Sequence, residues 1–163
     1  MAYRDIIQEP DESLRKVSRP VTKITNRILT LLDDMKETLK LEEGVGLAAP
    51  QVGVLRRVVV IDVGKGVIEL INPKIIETSE EVQTGEEACL SCGTRRGIVT
   101  RPMKVRVHAL DRAGVLREYE GEGLLARAFC HEVDHLNGRL FLDIMTRELT
   151  GEEDVKKEAG HEK

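Results

Sequence analysis

The sequence contains few aromatic residues and no long apolar run. Phe, Tyr and Trp make up 2 % of the 163 residues, and Trp is absent. We therefore expect an aliphatic core, and a function that stacks nucleic-acid bases on aromatic side chains is disfavoured. The longest apolar run, residues 58–63, is broken by Asp62. It falls far short of the roughly 18 residues that a membrane span needs, so no membrane partner is expected.

The sequence also lacks an excess of basic residues, because 25 Lys and Arg face 29 Asp and Glu, a net charge of −4. This balance disfavours a phosphate backbone as the main ligand. No basic stretch followed by an apolar run opens the sequence, so we expect no secretory signal and a cytoplasmic location. In that compartment Cys89, Cys92 and Cys130 should be reduced, which favours ligand or catalytic roles over disulfides.

The length of 163 residues predicts one domain, residues 1–146, followed by a polar tail without a sustained apolar face, residues 147–163. Helices are predicted at 10–18, at 25–41 with Thr25 or Asn26 as cap, and at 123–136 with Asn137 and Gly138 as the stop. Strands are predicted at 57–63, 67–71, 82–90, 105–110 and 115–119, the last two as a hairpin and the second closed by Asn72-Pro73. The uncharged segment 44–51 is predicted to be an irregular apolar loop.

The segment His131-Glu132-Val133-Asp134-His135 is the strongest chemical signal. Histidines at i and i+4 project from one helix face, so both imidazoles can reach one metal ion. Leu124 and Ala128 share that face, which predicts that the histidines point inward. A buried histidine pair needs polar partners, and a metal ion would supply one.

Two histidines are too few for a catalytic metal site, which usually takes three protein ligands. No third His or Glu follows at the spacing of the common zinc peptidases, so the missing ligand must come from elsewhere. Cys89, near a predicted strand end, is the natural candidate. Cys89 and Cys92 also form a CxxC, for which a redox pair or half of a structural zinc site remains an alternative.

Three separated segments resemble the signature motifs of the peptide deformylase family. They are Gly44–Gln51, Glu87–Ser91 and His131–Leu136 with Gly138, and weaker similarity extends over roughly residues 4–146. Four positions depart from the usual family pattern. Ala88 stands where the family usually has Gly, and Cys92 stands where it has an aliphatic residue. Gly93 replaces a usual Pro, and Cys130 replaces a common Gln.

The resemblance implies an α+β fold, with antiparallel β-sheets packed around a central helix that carries the HExxH motif. It also implies a metallohydrolase that removes the formyl group from the N-terminal formylmethionine of new polypeptides. Cys89, His131 and His135 would bind one metal ion per chain. In this family that ion is typically Fe²⁺, with Zn²⁺, Ni²⁺ or Co²⁺ as substitutes.

The same resemblance implies the remaining roles. Glu132 would transfer protons, and the Gln51 amide and the Leu90 N–H would stabilise the oxyanion. The backbone of Gly44, Val45 and Gly46 would bind an extended peptide, although the glycines could simply permit a turn. Val45, Leu90 and Ala128 are candidate walls for the methionine side chain, with ordinary core packing as the alternative.

The expected partners are N-formylmethionyl peptides and, at most transiently, the ribosome. The tail carries four basic and six acidic residues, and this net negative charge disfavours binding to the phosphate backbone of RNA. No specific nucleic-acid binding is expected. One alternative is an amidase or peptidase that cleaves another small N-acyl group. Another is a thiol or metal sensor built on Cys89, Cys92 and Cys130, although a sensor needs neither Gln51 nor Glu132.

Overall fold

A computed structural model describes residues 2–150 of the chain. The α-helices in this range are α1 (Asn26–Leu41) and α2 (Leu124–Leu136). The strands are β1 (Gly46–Ala48), β2 (Val58–Ile61), β3 (Ile68–Thr78), β4 (Val82–Ala88), β5 (Arg96–Pro102), β6 (Lys104–Leu110), β7 (Leu116–Glu122) and β8 (Arg147–Leu149). Short 3₁₀ helices cover Glu12–Arg15, Ala49–Val52 and Phe141–Asp143.

The strands form two antiparallel sheets, which confirms the predicted α+β class. One sheet has the order β1-β2-β3-β6-β7 and the other the order β4-β5-β8. β1 therefore lies at an edge of the larger sheet, and β4 lies at an edge of the smaller one. Edge strands carry unpaired backbone N–H and C=O groups that can bind an added strand.

The larger sheet lies between the two helices. Val58 and Val60 of β2 pack in a cluster with the apolar face of α1, while Val59 and Ile61 pack in a cluster with α2. All four side chains are fully buried. Successive strand residues point to opposite faces, so a strand covered on both faces is apolar at every position. None of the helices within residues 2–150 is long and apolar enough to cross a membrane.

The segment 44–51 differs from its prediction as an irregular loop. Residues 46–48 form β1, with Gly46 opposite Ile61 of β2, and a 3₁₀ helix follows directly. Leu47 packs in the α1 cluster and Ala48 in the α2 cluster. The short strand is therefore fixed by burial on both faces, which local residue propensities do not indicate.

Strand β3 is longer than predicted because it continues through Asn72-Pro73. The pairing with β6 shifts register between Ile71 and Lys74, and Asn72 has a φ of 53°. The Asn72 amide accepts a hydrogen bond from the N–H of Val21 and donates one to its carbonyl, both at 2.8 Å. Proline is tolerated in a sheet at such a bulge, so the predicted strand end was wrong.

Several other predictions need correction. The predicted helix at 10–18 is only a 3₁₀ turn, Glu12–Arg15, and the Thr25 side chain makes no capping hydrogen bond. Strand β5 was not predicted, because it contains glycine and charged residues and ends in proline. The hairpin β6–β7 is confirmed, although β7 continues to Glu122. In the predicted tail, β8 pairs with β5, and residues 151–163 lie outside the described residues.

Residues 7–9 connect two loops that are distant in sequence. Three hydrogen bonds make this link: Ile7 N–H to the Gln51 carbonyl at 2.8 Å, the Gln8 amide to the Leu90 carbonyl at 2.8 Å, and Glu9 N–H to the Ser91 carbonyl at 2.7 Å. The N-terminal segment therefore holds the loop after β1 beside the loop after β4.

Candidate metal and catalytic site

Three of the predicted site residues bring their donor atoms together. The Cys89 Sγ lies 3.3 Å from the His135 Nε2, which lies 3.3 Å from the His131 Nε2. All three donor atoms lie within 4.8 Å of one another. Cys89 directly follows β4, and the two histidines lie one turn apart on α2. All three side chains are buried, as their inward orientation requires.

Glu87 fixes the orientation of His131. Its Oε1 lies 2.8 Å from the His131 Nδ1, which leaves Nε2 directed toward the other two donors. A carboxylate that accepts the second ring N–H is the usual support of a histidine ligand. Glu87 precedes Cys89 by two positions, so both side chains leave the end of β4 on the same side.

Glu87 also belongs to a buried ion-pair network. Arg101 donates to both of its oxygens, at 2.8 and 2.9 Å, and Arg127 donates at 2.6 Å. Arg101 additionally binds Asp134 at 2.7 Å. Burial alone would raise the pKa of Glu87, but hydrogen bonds from Arg101 and His131 outweigh burial and lower it. The carboxylate is therefore charged at neutral pH.

The sequence places Glu87 in a family motif, but it does not indicate the ion pairs that Glu87 forms with Arg101 and Arg127. The available signal was the i, i+2 spacing of Glu87 and Cys89 on a predicted strand. The pairing with Arg101 could not be read from the sequence, because β5 was not predicted.

Glu132 lies buried beside the donor cluster. Its Oε2 is 4.0 Å from the His131 Nε2, and its Oε1 has no hydrogen-bond partner among residues 2–150. Burial raises the pKa of Glu132 to about 7. A Cβ atom at Gly46 would lie 2.5 Å from the Glu132 Oε2, so only glycine at position 46 admits this carboxylate.

Gln51 is held in a fixed orientation. Its Oε1 accepts a hydrogen bond from the Ala48 N–H at 2.9 Å. Its Nε2 donates to the Ser91 hydroxyl at 3.1 Å and lies 3.5 Å from the Cys89 Sγ. The amide N–H₂ group is thereby directed at the donor cluster, and Leu90 lies in the turn between Cys89 and Ser91.

The donor set fits a divalent transition metal. A thiol and two imidazoles suit several such metals, and three protein ligands leave a position open for water or substrate. Burial lowers the pKa of His135, so its imidazole is neutral and able to coordinate. The neighbouring Cys92 thiol and burial together raise the pKa of Cys89, so without a cation this thiol keeps its proton. The unpaired Glu132 Oε1 provides an acceptor for a water molecule at the cluster.

A cavity of about 510 Å³ opens above this cluster, between the edge strands β1 and β4. Its wall includes Val45 and Leu90 as well as Ala88, the departure from the family pattern. Leu124, the first residue of α2, lines the same cavity as Ala128 and His131 and is 55 % exposed. The three backbone positions predicted to bind peptide, Gly44 to Gly46, all lie in the wall.

The other two cysteines lie outside the cluster of donor atoms in the described part of the chain. Cys92 is buried in the turn that follows Cys89. Cys130 belongs to the core between α2 and the larger sheet, where burial raises the pKa of its thiol to about 11.

Comparisons with known proteins agree with this arrangement. The sequence profile of the family described as Polypeptide deformylase matches residues 3–150. A peptide deformylase of Thermoanaerobacter pseudethanolicus is 58 % identical over 94 % of this chain and 96 % of that protein. One of Alkaliphilus metalliredigens is 56 % identical over 91 % of this chain and all of that protein.

Solved structures are similar over the same range. The crystal structure of peptide deformylase from Thermotoga maritima superposes with a TM-score of 0.86 at 41 % identity, covering 90 % of this chain and 99 % of that one. The crystal structure of a peptide deformylase from Legionella pneumophila superposes with a TM-score of 0.85 at 41 % identity. The match covers 98 % of this chain and 92 % of that one. The fold, the buried donor set and the cavity therefore occur together in a chain that closely resembles proteins of one activity.

Proposed function

We infer that this chain, which belongs to the polypeptide deformylase family, is a hydrolase that removes the N-terminal formyl group from new polypeptides. We propose that Cys89, His131 and His135 hold its catalytic metal ion. The convergence of their donor atoms within 4.8 Å carries this proposal. The ion is Fe²⁺ in the cell, one per chain, as is typical of the family, and Zn²⁺, Ni²⁺ or Co²⁺ can replace it. When bound there, the metal would supply Lewis acidity and would lower the pKa of a coordinated water toward about 7.

Glu132 is the general base and acid. It accepts the proton of the attacking water and delivers it to the departing amine. The support for this role is its position: one oxygen is unpaired, the other lies 4.0 Å from a ligand nitrogen, and burial brings its pKa near neutrality. A carboxyl group with a pKa near the working pH can both take and return a proton.

Gln51 and the Leu90 N–H stabilise the negative oxygen that develops when water attacks the formyl carbon. The Gln51 amide is oriented by two hydrogen bonds before substrate arrives, so no reorganisation is needed during the reaction. The loop that presents Leu90 is held by Gln8 and Glu9 from the N-terminal segment.

The peptide binds in the cavity as an extended strand between β1 and β4. Both are edge strands, and the backbone of Gly44–Gly46 borders the cavity on one side. Strand addition of this kind gives affinity through backbone hydrogen bonds and specificity through side-chain pockets. The first side chain of the substrate lies against Val45, Leu90 and Ala128, which all contribute to the wall.

This reaction takes place in the cytoplasm on N-formylmethionyl peptides as they leave the ribosome. Contact with the ribosome is transient, and no specific nucleic-acid sequence is recognised. The overall charge of −4 supports a transient contact with the ribosome, because stable RNA binding needs a surplus of basic residues.

Turnover of matched peptides by metal-loaded protein tests the proposal. Formyl-Met peptides should be hydrolysed, and acetyl-Met peptides should react far more slowly, because the extra methyl must fit beside Gln51 and the metal ligands. Glu132→Gln should keep the metal and the fold while kcat falls about 10²–10⁴-fold. Comparable rates on formyl and acetyl peptides would favour a broader amidase, and near-normal turnover by Glu132→Gln would remove Glu132 from the mechanism.

A further inference from the structure

Cys89 and Cys92 are joined by a tight turn. The N–H of Cys92 donates a hydrogen bond to the carbonyl of Cys89 at 3.0 Å, which closes a four-residue turn. The first and last Cα atoms of such a turn lie less than about 7 Å apart. Protein disulfides usually join Cα atoms that are about 4.4–6.8 Å apart. The backbone thus holds the two cysteines at a separation that a disulfide can span.

The surroundings of the pair also suit bond formation. Cys89 and Cys92 belong to the same apolar cluster, beside Val99 and Leu140, whereas Cys130 belongs to a different one. Cys89 lines the cavity, so a small solute that enters the cavity reaches its sulfur first. Cys92 is only 5 % exposed and does not line this cavity.

Gly93 leaves the turn free to adjust. Its φ is +59°, and a Cβ atom built on it meets no atom of the described part of the chain within 4 Å. The residue after Cys92 therefore imposes neither a fixed φ nor a steric contact on the small rotation that brings the two sulfur atoms together. A proline at this position would fix φ near −65°.

We propose that Cys89 and Cys92 form an oxidation site at which a hydroperoxide converts the metal-ligand thiol into a reversible intrachain disulfide. Oxidation withdraws Cys89 from His131 and His135 and so releases the metal ion. This consequence depends on the proposed ligand role of Cys89, but formation of the disulfide does not.

The reaction balances with hydrogen peroxide as the two-electron oxidant. The Cys89 sulfur attacks one peroxide oxygen, the O–O bond breaks, and one water leaves, with a sulfenic acid formed on Cys89. The Cys92 sulfur then attacks the Cys89 sulfur, the S–O bond breaks, and the second water leaves as the S–S bond forms. A dithiol reductant reverses the oxidation by exchange. Without Cys92, further peroxide carries Cys89 to the irreversible sulfinic and sulfonic acids.

Trypsin digestion separates the possible products. No Lys or Arg lies between Ile75 and Thr94, so peptide 75–95 contains both Cys89 and Cys92, and peptide 128–139 contains Cys130. Metal-loaded full-length protein is treated with hydrogen peroxide, alkylated and digested without reductant. We expect peptide 75–95 to lose two hydrogens and resist alkylation, peptide 128–139 to stay alkylatable, and the metal to be released. Treatment of the oxidised protein with dithiothreitol should restore the mass of reduced peptide 75–95, and subsequent addition of metal should restore activity.

Cys92→Ser and Cys92→Ala are the test variants, and Cys130→Ser is the matched control for loss of one buried thiol. Both Cys92 variants should gain two or three oxygens on peptide 75–95 and should not be rescued by dithiothreitol. Cys130→Ser should behave like the unchanged protein. Oxygen addition to Cys89 in the unchanged protein, without a disulfide, would overturn the proposal. A disulfide that forms without metal release would instead show that Cys89 is not the metal ligand.

Discussion

Replacing Glu87 by glutamine should destabilise the protein strongly, because this carboxylate compensates two buried cations. Glu87 accepts four hydrogen bonds, two from Arg101, one from Arg127 and one from His131. The Arg101 and Arg127 side chains are only 5 % and 10 % exposed. Removing one partner of a buried ion pair costs about 3–5 kcal/mol. For a chain of this length, 1 kcal/mol shifts Tm by about 2–4 °C, so Tm should fall by roughly 6–20 °C.

Glu86→Gln is the matched control, since it removes the same charge one residue earlier. Glu86 pairs with Arg96 at 3.0 Å, and both side chains are partly exposed, at 26 % and 38 %. Such a surface pair contributes about 1 kcal/mol at most. Thermal unfolding of the metal-free proteins measures both changes. Titration with metal should also show a 10–100-fold loss of affinity in Glu87→Gln, because His131 loses its orienting partner.

The pH dependence of this destabilisation has a definite sign. The hydrogen bonds that Glu87 accepts hold its pKa below the ordinary value of 4.5, although burial acts in the opposite direction. Its contribution to stability is therefore present above pH 4.5 and is lost as the pH falls through the lowered pKa. The Tm difference between the two variants should shrink in acid. Equal Tm values for Glu87→Gln and Glu86→Gln at neutral pH would refute the reasoning.

Three further predictions concern the site itself. Gly46→Ala should lower kcat about 100-fold with unchanged metal content, because the new Cβ atom would displace the Glu132 carboxylate. Gly85→Ala is the control and should keep normal turnover, because its Cβ atom approaches Arg127 no closer than 3.4 Å. Cys89→Ser should lose metal in elemental analysis while Cys92→Ser retains it, and the opposite result would mean that the ligands are wrongly assigned. Formyl-Leu peptides should react within a few tens-fold of formyl-Met peptides, because an apolar pocket discriminates only gradually between apolar side chains. A size difference of one methylene changes the binding free energy in such a pocket by only about 1–3 kcal/mol. Formyl-Asp peptides should be much poorer, and equal rates would contradict an apolar pocket.

The sequence predicts those parts of the fold whose signal is periodic and local. The two α-helices and the β6–β7 hairpin are confirmed because each carries its own pattern of burial or its own turn. The donor residues could be proposed for the same reason, since histidines at i and i+4 share a helix face whatever the rest of the fold is. Cys89 was proposed as the third ligand from its place near a predicted strand end. The resemblance to a known family supplied the roles of Glu132 and Gln51, and the structure brings these side chains together.

The elements that the sequence does not predict are those fixed by distant contacts. β1 has three residues and is ordered by β2 and by burial on both faces. β3 continues past a proline because the Asn72 side chain is held by Val21, 51 residues away. The network around Glu87 needs β5, which pairs with β4 despite its charged residues. In each case tertiary packing outweighs local propensity, and no short segment contains that information.

The hydrogen bonds of residues 7–9 also decide how the protein loses activity. They join the first residues of the described range to loops up to 82 residues away, and these loops carry Gln51, Leu90 and Cys89, the proposed metal ligand. Segments outside the helices and sheets open at lower free energy than the core, so a brief opening of residues 7–9 would release both loops while the sheets and helices stay folded. Activity should then follow the local opening equilibrium of residues 7–9, and the exchange rates of the Ile7 and Glu9 amide hydrogens should report inactivation before global unfolding begins.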